Sequence, residues 1–414
     1  MSASAHVPSA FGAIVAAPFR ERMLLLATYL CMFASSVAIV EPSPHDALVL
    51  LVALCCLITG ARLDRLILVL LLLLLLWNVG GLFSLMEVVG RDKTTEYAAT
   101  SIYLAIAAIV WAMLFAQNTM PRITVLQSAY VLTAFLSAIA GICGYLNLFP
   151  KAHDLFAWNE RAVGLFKDPN VYAPFLIWPT LIVFERLLVR RITLVDTAVL
   201  GTLLVALLVA FSRGAWVHLG ISGVVVIVLA LLTASQGKTR FRIVLLSCIA
   251  LAVLAVMVVA LLSIPAISSM VAERAHLINS YDVGDGGRFR LQELALRDMF
   301  DHPNGMGPFG FASTQTNQQH NVYLQAMLVY GWAGGAVYVL MILMTFKLGL
   351  KAVFVRTPWQ PYLITAIGAF TGEVLEGFII DTDHWRHYFL LLGVIWGLCV
   401  ATSKVMRERA PRPA

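Results

Sequence analysis

His320-Asn321 is the pair on which a reaction would most readily turn. An imidazole changes charge near neutral pH and is suited to taking a proton from a hydroxyl. Gly331, Gly334 and Gly335 follow. On one continuous helix a residue eleven positions on returns to within about 20° of the same face. His320 and Gly331 should then share a face, and Gly331 with Gly335 forms a small-xxx-small surface that admits a second helix closely. The plainer account of His320 is a polar cap at a membrane boundary. An imidazole that opens a buried helical face favours chemistry over a cap.

Basic residues that suit an anion come next. Gly287-Arg288-Phe289-Arg290 follows a glycine turn, Gly284-Asp285-Gly286-Gly287, at an expected helix start. Free N–H groups and the positive dipole end gather there, and two guanidinium forks add donors shaped for phosphate oxygens. The alternative is an exposed helix end balanced by Glu293 and Asp285. Phe211-Ser212-Arg213-Gly214-Ala215-Trp216 is a tight connection between two apolar blocks. Its arginine either snorkels to headgroups or faces a polar cavity. In the run from Arg161 to Asn170, Asp168 and Pro169 read as an ordinary cap and first turn. Arg161 and Lys167 are left to add positive charge to the same face, with Asn170 beside them.

Glu373, Glu376, Asp381, Asp383, His384 and Arg386 cluster near the last turn between apolar blocks. Asp381-Thr382-Asp383 is a weak metal signal, and a solvated polar turn is the better account. An acid that orients the histidine or an arginine is the other. No phosphate-binding loop, H-E-x-x-H pair or G-x-S-x-G elbow is present. ATP hydrolysis, zinc proteolysis and serine-hydrolase chemistry therefore lack their usual support.

The elements that must hold these residues are membrane helices. Of 414 residues, 60% are hydrophobic and 13% charged, against roughly half and a quarter in soluble domains. Disorder, collagen-like repeats and disulfide frameworks are excluded on that composition. Apolar blocks at 23–40, 47–61, 66–86, 98–116, 123–147, 171–187, 194–211, 214–233, 243–263, 321–346, 361–379 and 387–403 suggest twelve spans. Arg20 and Arg22 precede the first, which reads as a retained span rather than a removed signal. The six cysteines all lie in apolar blocks without zinc or disulfide spacing and read as small apolar core residues. The +6 net charge comes without a dense basic stretch, so nucleic acid is not expected.

The greater part of the 29 lysines and arginines falls in loops on one side, which is then cytoplasmic along with both termini. The long segments, 148–170 and 264–320, fall on the other side. The second should form a helical cap, with helices over 266–279 and 288–301, within a single membrane domain spanning 1–414. Chemistry is thus expected on the outer face, away from nucleotide sugars.

These pieces together resemble the O-antigen ligase family of membrane glycosyltransferases, which includes O-antigen polymerases and protein O-oligosaccharyltransferases. The match rests on His320-Asn321 followed by Gly331-x-x-Gly334, on Ser212-Arg213-Gly214, and on the Arg288 helix with His302-Pro303 and Gly305-x-Gly307. Lys167-Asp168-Pro169-Asn170 also fits. The motifs cover roughly 150–345. The resemblance implies an all-α, GT-C-like polytopic architecture in a bacterial inner membrane with a periplasmic active site. It implies a glycan donor on undecaprenyl pyrophosphate, a lipid A–core acceptor, no nucleotide sugar, and inverting transfer without a metal or other cofactor. His320 would be the base. Arg288 and Arg213 would act on the leaving pyrophosphate. Arg161, Lys167, Asn170, Arg290, Asn321 and Asp383 would bind substrate.

Polymerases often carry arginine, ten residues, then glycine in outer loops. Arg161, Arg213, Arg288 and Arg290 lead instead to Tyr172, Val224, Met299 and Asp301. Protein-glycosylating members tend to extend further past the last span. Ligase is the expected activity and polymerase the alternative. A transporter or lipid-carrier flippase would instead place buried charge near the membrane midplane, whereas the polar residues here gather at one surface.

Overall fold

A computed structural model describes residues 9–190, 192–275, 286–315 and 317–409. In chain order the helices are α1 (Ala10–Ala16), α2 (Phe19–Phe33), α3 (Pro44–Ile58), α4 (Arg65–Ser84), α5 (Thr94–Phe115) and α6 (Thr119–Tyr145). Next come α7 (Ala152–Phe156), the strands β1 (Ala157–Trp158) and β2 (Arg161–Ala162), α8 (Pro169–Val189), α9 (Leu194–Val209), α10 (Arg213–Thr233) and α11 (Gly237–Leu262). The chain continues through α12 (Pro265–Ala275), α13 (Arg288–Asp301), α14 (Gly310–Thr314), α15 (Val322–Val353), α16 (Gln360–Glu376) and α17 (Arg386–Arg409). It is an all-α polytopic membrane protein.

A helix stands at each of the twelve apolar blocks, but eight of the described helices are long and apolar enough to cross a bilayer. The others, α2, α3, α9 and α16, have 15 to 17 residues. At about 1.5 Å per residue they rise less than a hydrocarbon core of about 30 Å. Side-chain caps set the starts of α3 and α9. Ser43 and Asp46 form a capping box around Pro44 in α3, and Thr193 caps α9. The first apolar block also ends early as helix, because Ala34–Ser36 tightens to a 3-10 turn after α2.

Glycines decide which helices touch. Gly368 and Gly372 of α16 face Ser222, Val226 and His218 of α10, where any Cβ would collide. Gly393 and Gly397 of α17 lie against Ala108, Ala112 and Phe115 of α5 in the same way. Gly80 and Gly81 of α4 receive Tyr330 and Gly334 of α15. Each pair is a small-residue contact that lets backbones approach where lipid offers no hydrophobic drive. At the periphery, Ile243 is the one buried residue of α11. Cys248 on that helix is exposed, unlike buried Cys31, Cys55, Cys56 and Cys399, so the reading of all six as core residues fails there.

Between α11 and α15 the chain forms α12, α13 and α14. Leu291 and Ala295 of α13 and Phe311 of α14 bury themselves against Leu328 of α15. The expected helix over 266–279 is described as Pro265–Ala275. The rest of it, and the turn residues Gly284 and Asp285, lie outside the described residues.

Candidate functional site

The expectation of one helical face running from His320 to Gly331 is wrong on two counts. Asn321 is the N-cap of α15, so His320 stands outside the helix. The helix is then interrupted at Gly331, whose backbone is non-helical at φ 70° and ψ 175°. The loop after α13 enters this break. Met306 N–H donates to Leu328 O, and Trp332 N–H donates to Pro303 O. A Cβ on Gly331 would lie 2.9 Å from the Asn304 carbonyl carbon. Gly331 therefore receives the His302-to-Gly307 loop, while Gly334 carries the contact with α4.

His320 is held by the loop between α16 and α17. Asp381 Oδ2 lies 3.5 Å from His320 Nδ1, and Asp381 Oδ1 accepts from Asn321 N–H at 2.9 Å. Phe378 O accepts from Asn321 Nδ2 at 3.2 Å and from Gln292 Nε2 at 3.1 Å. Gln292 also donates to His320 O. Asn321 Oδ1 accepts from Tyr323 N–H and Leu324 N–H, closing the first turn of α15. His320 itself has φ +49°, a left-handed backbone that a non-glycine residue adopts at a cost. Its ring is half-exposed.

This loop is not a solvated turn. Thr382 and Asp383 are buried, as are Glu373 and Glu376 on the helix before it. The loop closes the space between α5, α15 and α17, so its acids find partners rather than water. Tyr97 OH donates to Asp383 Oδ2, and Gln325 Nε2 donates to Tyr97 OH. Burial first, and then the Asp381 charge, push the Asp383 carboxyl up to about 7. His384 bonds Ser101 Oγ through Nε2, and burial pulls its imidazole down to about 3.

The arginines collect at the starts of helices. A two-residue turn at Asn159 and Glu160, both with positive φ, reverses β1 into β2 and delivers Arg161. Its buried guanidinium donates to Ala210 O at 2.9 Å and to Asn170 Oδ1 at 2.8 Å. Asn170 lies in the first turn of α8, which Asp168 caps. Ala210 ends α9, and two residues on Ser212 is the N-cap of α10 with Arg213 its first residue. Arg288 likewise is the first residue of α13. Gln292 lies one turn after it, on the same helix face.

The end of α16 joins the two groups. A Cβ on Gly214 would lie 2.7 Å from Glu376 Oε1, and His218 Nδ1 lies 2.7 Å from Glu376 Oε2. Two residues later Phe378 holds Asn321 and Gln292. So Arg161, Asn170 and Arg213 gather on one flank, and Arg288, His320 and Asn321 on the other. Residues 198–339 match the O-antigen ligase family model. The match supports the O-antigen ligase family. That family implies a membrane glycosyltransferase-like enzyme acting on lipid-linked glycan and a lipid acceptor. No curated protein matches the chain.

Three of the proposed binding residues stand apart from this centre. Lys167 pairs with Glu41 at 3.4 Å on the far side of the α8 start. Arg290 turns to Glu293 of its own helix at 2.7 Å. Asp383 belongs to the loop but is buried against Tyr97. Sequence reasoning did not anticipate Tyr97, His218 or Gln292 as neighbours of the site. His218, a polar group inside an apolar helix, was the legible signal.

Proposed function

We propose that the chain is an O-antigen ligase. It transfers a glycan from undecaprenyl pyrophosphate to a sugar hydroxyl of lipid A–core at the periplasmic face of a bacterial inner membrane. The observation that carries this reading is the His320–Asp381 pair. His320 immediately precedes the N-cap of α15, inside the segment matched by the family model, and Asp381 reaches it from beyond that segment. A carboxylate at Nδ1 favours the tautomer whose Nε2 lone pair is free, which is the arrangement a general base needs.

The step balances simply. The acceptor O–H proton passes to His320 Nε2 as the oxygen forms a bond to the anomeric carbon. The bond from that carbon to the phosphate oxygen breaks, and its electron pair leaves with the lipid pyrophosphate. Arg288 and Arg213, each at a helix N-terminus, supply charge and N–H dipoles for that developing anion. Arg161 and Asn170 brace the turn that carries Arg213. A single displacement of this kind inverts the anomeric centre.

Polymerase is the second reading, because the same base and anion site serve any sugar acceptor. Reconstitution with purified lipid-linked glycan and lipid A–core, without ATP or added metal, separates the two. A ligase joins the two substrates. Longer lipid-linked glycan with untouched lipid A–core identifies a polymerase and overturns the first reading.

A further inference from the structure

Behind the loop that holds His320 lies a half-open space of about 210 Å³. It sits among the starts of α8 and α17 and the segment between α2 and α3. His384, Trp385 and Arg386 form one wall, and Asp381, three residues before His384, holds His320. The space and the base are thus two faces of one loop.

Its chemistry is specific. Trp385, Phe166 and Tyr130 line it with rings, and Glu41, His45 and His387 stand among them. The cations are already matched. Lys167 lies 3.4 Å from Glu41, and Arg386 makes two 2.7 Å bonds to Asp46. No surplus positive charge remains there for a phosphate. His45 Nδ1 and His387 Nε2 are buried without a hydrogen-bond partner among the described residues. Their nearest acids, Asp46 and Glu373, stand at 3.7 Å and 3.3 Å. The volume equals that of about seven waters at about 30 Å³ each, which is the scale of one six-membered sugar ring.

We propose that this space is a subsite for a single neutral pyranose ring of a glycan substrate. A pyranose has an apolar C–H face for Trp385 and a rim of hydroxyls that both donate and accept. Carboxylates and imidazoles of balanced charge suit that rim. The inference rests on the glycan-transfer reading and adds where a sugar is gripped, one loop away from the base.

Calorimetry on the full-length purified chain tests it. The probes are the oligosaccharide freed by mild acid from the lipid-linked donor, the oligosaccharide freed from lipid A–core, and inorganic pyrophosphate, in separate arms. One oligosaccharide should bind, and the arm that responds names its source. Trp385→Ala removes the stacking face, and Ala38→Trp fills the space. Each should weaken that sugar about tenfold, the weight of one good aromatic contact, and leave pyrophosphate unchanged. Hydrogen exchange on the parental chain needs no variant to fold. The bound sugar should protect residues 37–46 and 381–386. No sugar binding, protection confined to other segments, or a loss that falls on pyrophosphate instead would overturn the subsite. Binding is read here without turnover. Failed transfer in the reconstitution therefore leaves this result standing, and a failed subsite leaves transfer intact.

Discussion

A carboxylate near an imidazole does one of two things, and Asp381 does both. One oxygen faces His320 Nδ1 and the other ties down the Asn321 N–H. Asp381→Asn keeps a group able to accept from Asn321 but loses the charge that favours the reactive tautomer. Transfer should fall by roughly 10-fold to 100-fold, with donor affinity near the parental value. An unchanged rate would reduce Asp381 to a helix clamp. Asp383, two residues on, answers to pH in another way. Its carboxyl is raised to about 7, chiefly by burial. Below about pH 4 it is neutral in both folded and unfolded chains and costs nothing. Between about 4 and about 7 the unfolded chain ionises it and the folded chain does not, so stability falls as pH rises and then levels off. Asp383→Asn carries no such charge and should flatten that part of the dependence of melting temperature on pH. An equal slope in parent and variant would contradict the buried, protonated state.

At the scale of elements, the broken α15 is the feature to perturb. Gly331 sits at φ +70° with the Pro303 and Asn304 carbonyls about it. Gly331→Ala forces a left-handed residue and a clash with backbone, and should cost on the order of 1–3 kcal/mol. Gly335→Ala meets the flexible Met327 side chain of its own helix and should cost less. Melting temperatures compare them, and equal losses would show that the inserted loop is not what Gly331 serves. The glycines at 331, 334 and 335 were legible as a close-packing signal, and so was the cap at Asp168, whereas the cap of α15 was weighed at His320 and falls on Asn321. The break was not legible, because glycine spacing is the same whether a helix runs through it or stops. The solvated turn at 381–383 failed for a related reason. Charge density read along the chain says nothing of the Tyr97 hydroxyl that a distant helix brings to Asp383. Arg161 was visible as a charge, but its delivery by a two-residue reverse turn depends on positive φ at Asn159 and Glu160, which neither residue type demands.

For the whole molecule, the account needs the starts of α8, α10, α15 and α17 to lie on one face, away from the basic loops. A cysteine in place of Asp154 should label from the periplasm of intact cells, and one in place of Lys351 should not, with exposed Cys248 replaced by serine. Reversed labelling would put the site on the wrong side for a lipid pyrophosphate donor. In the proposed reaction the orientation makes the chemistry possible and His320 is the base that performs it. The most direct measurement is single-turnover glycan transfer by the reconstituted chain, comparing the parent with His320→Asn across pH, with donor binding measured in parallel. General-base catalysis is worth about 10²–10⁴ in rate. Transfer should drop by that order, and the limb of the pH profile that reports the imidazole should vanish while donor binding stays. Transfer at close to the parental rate, with the limb still present, would contradict the account.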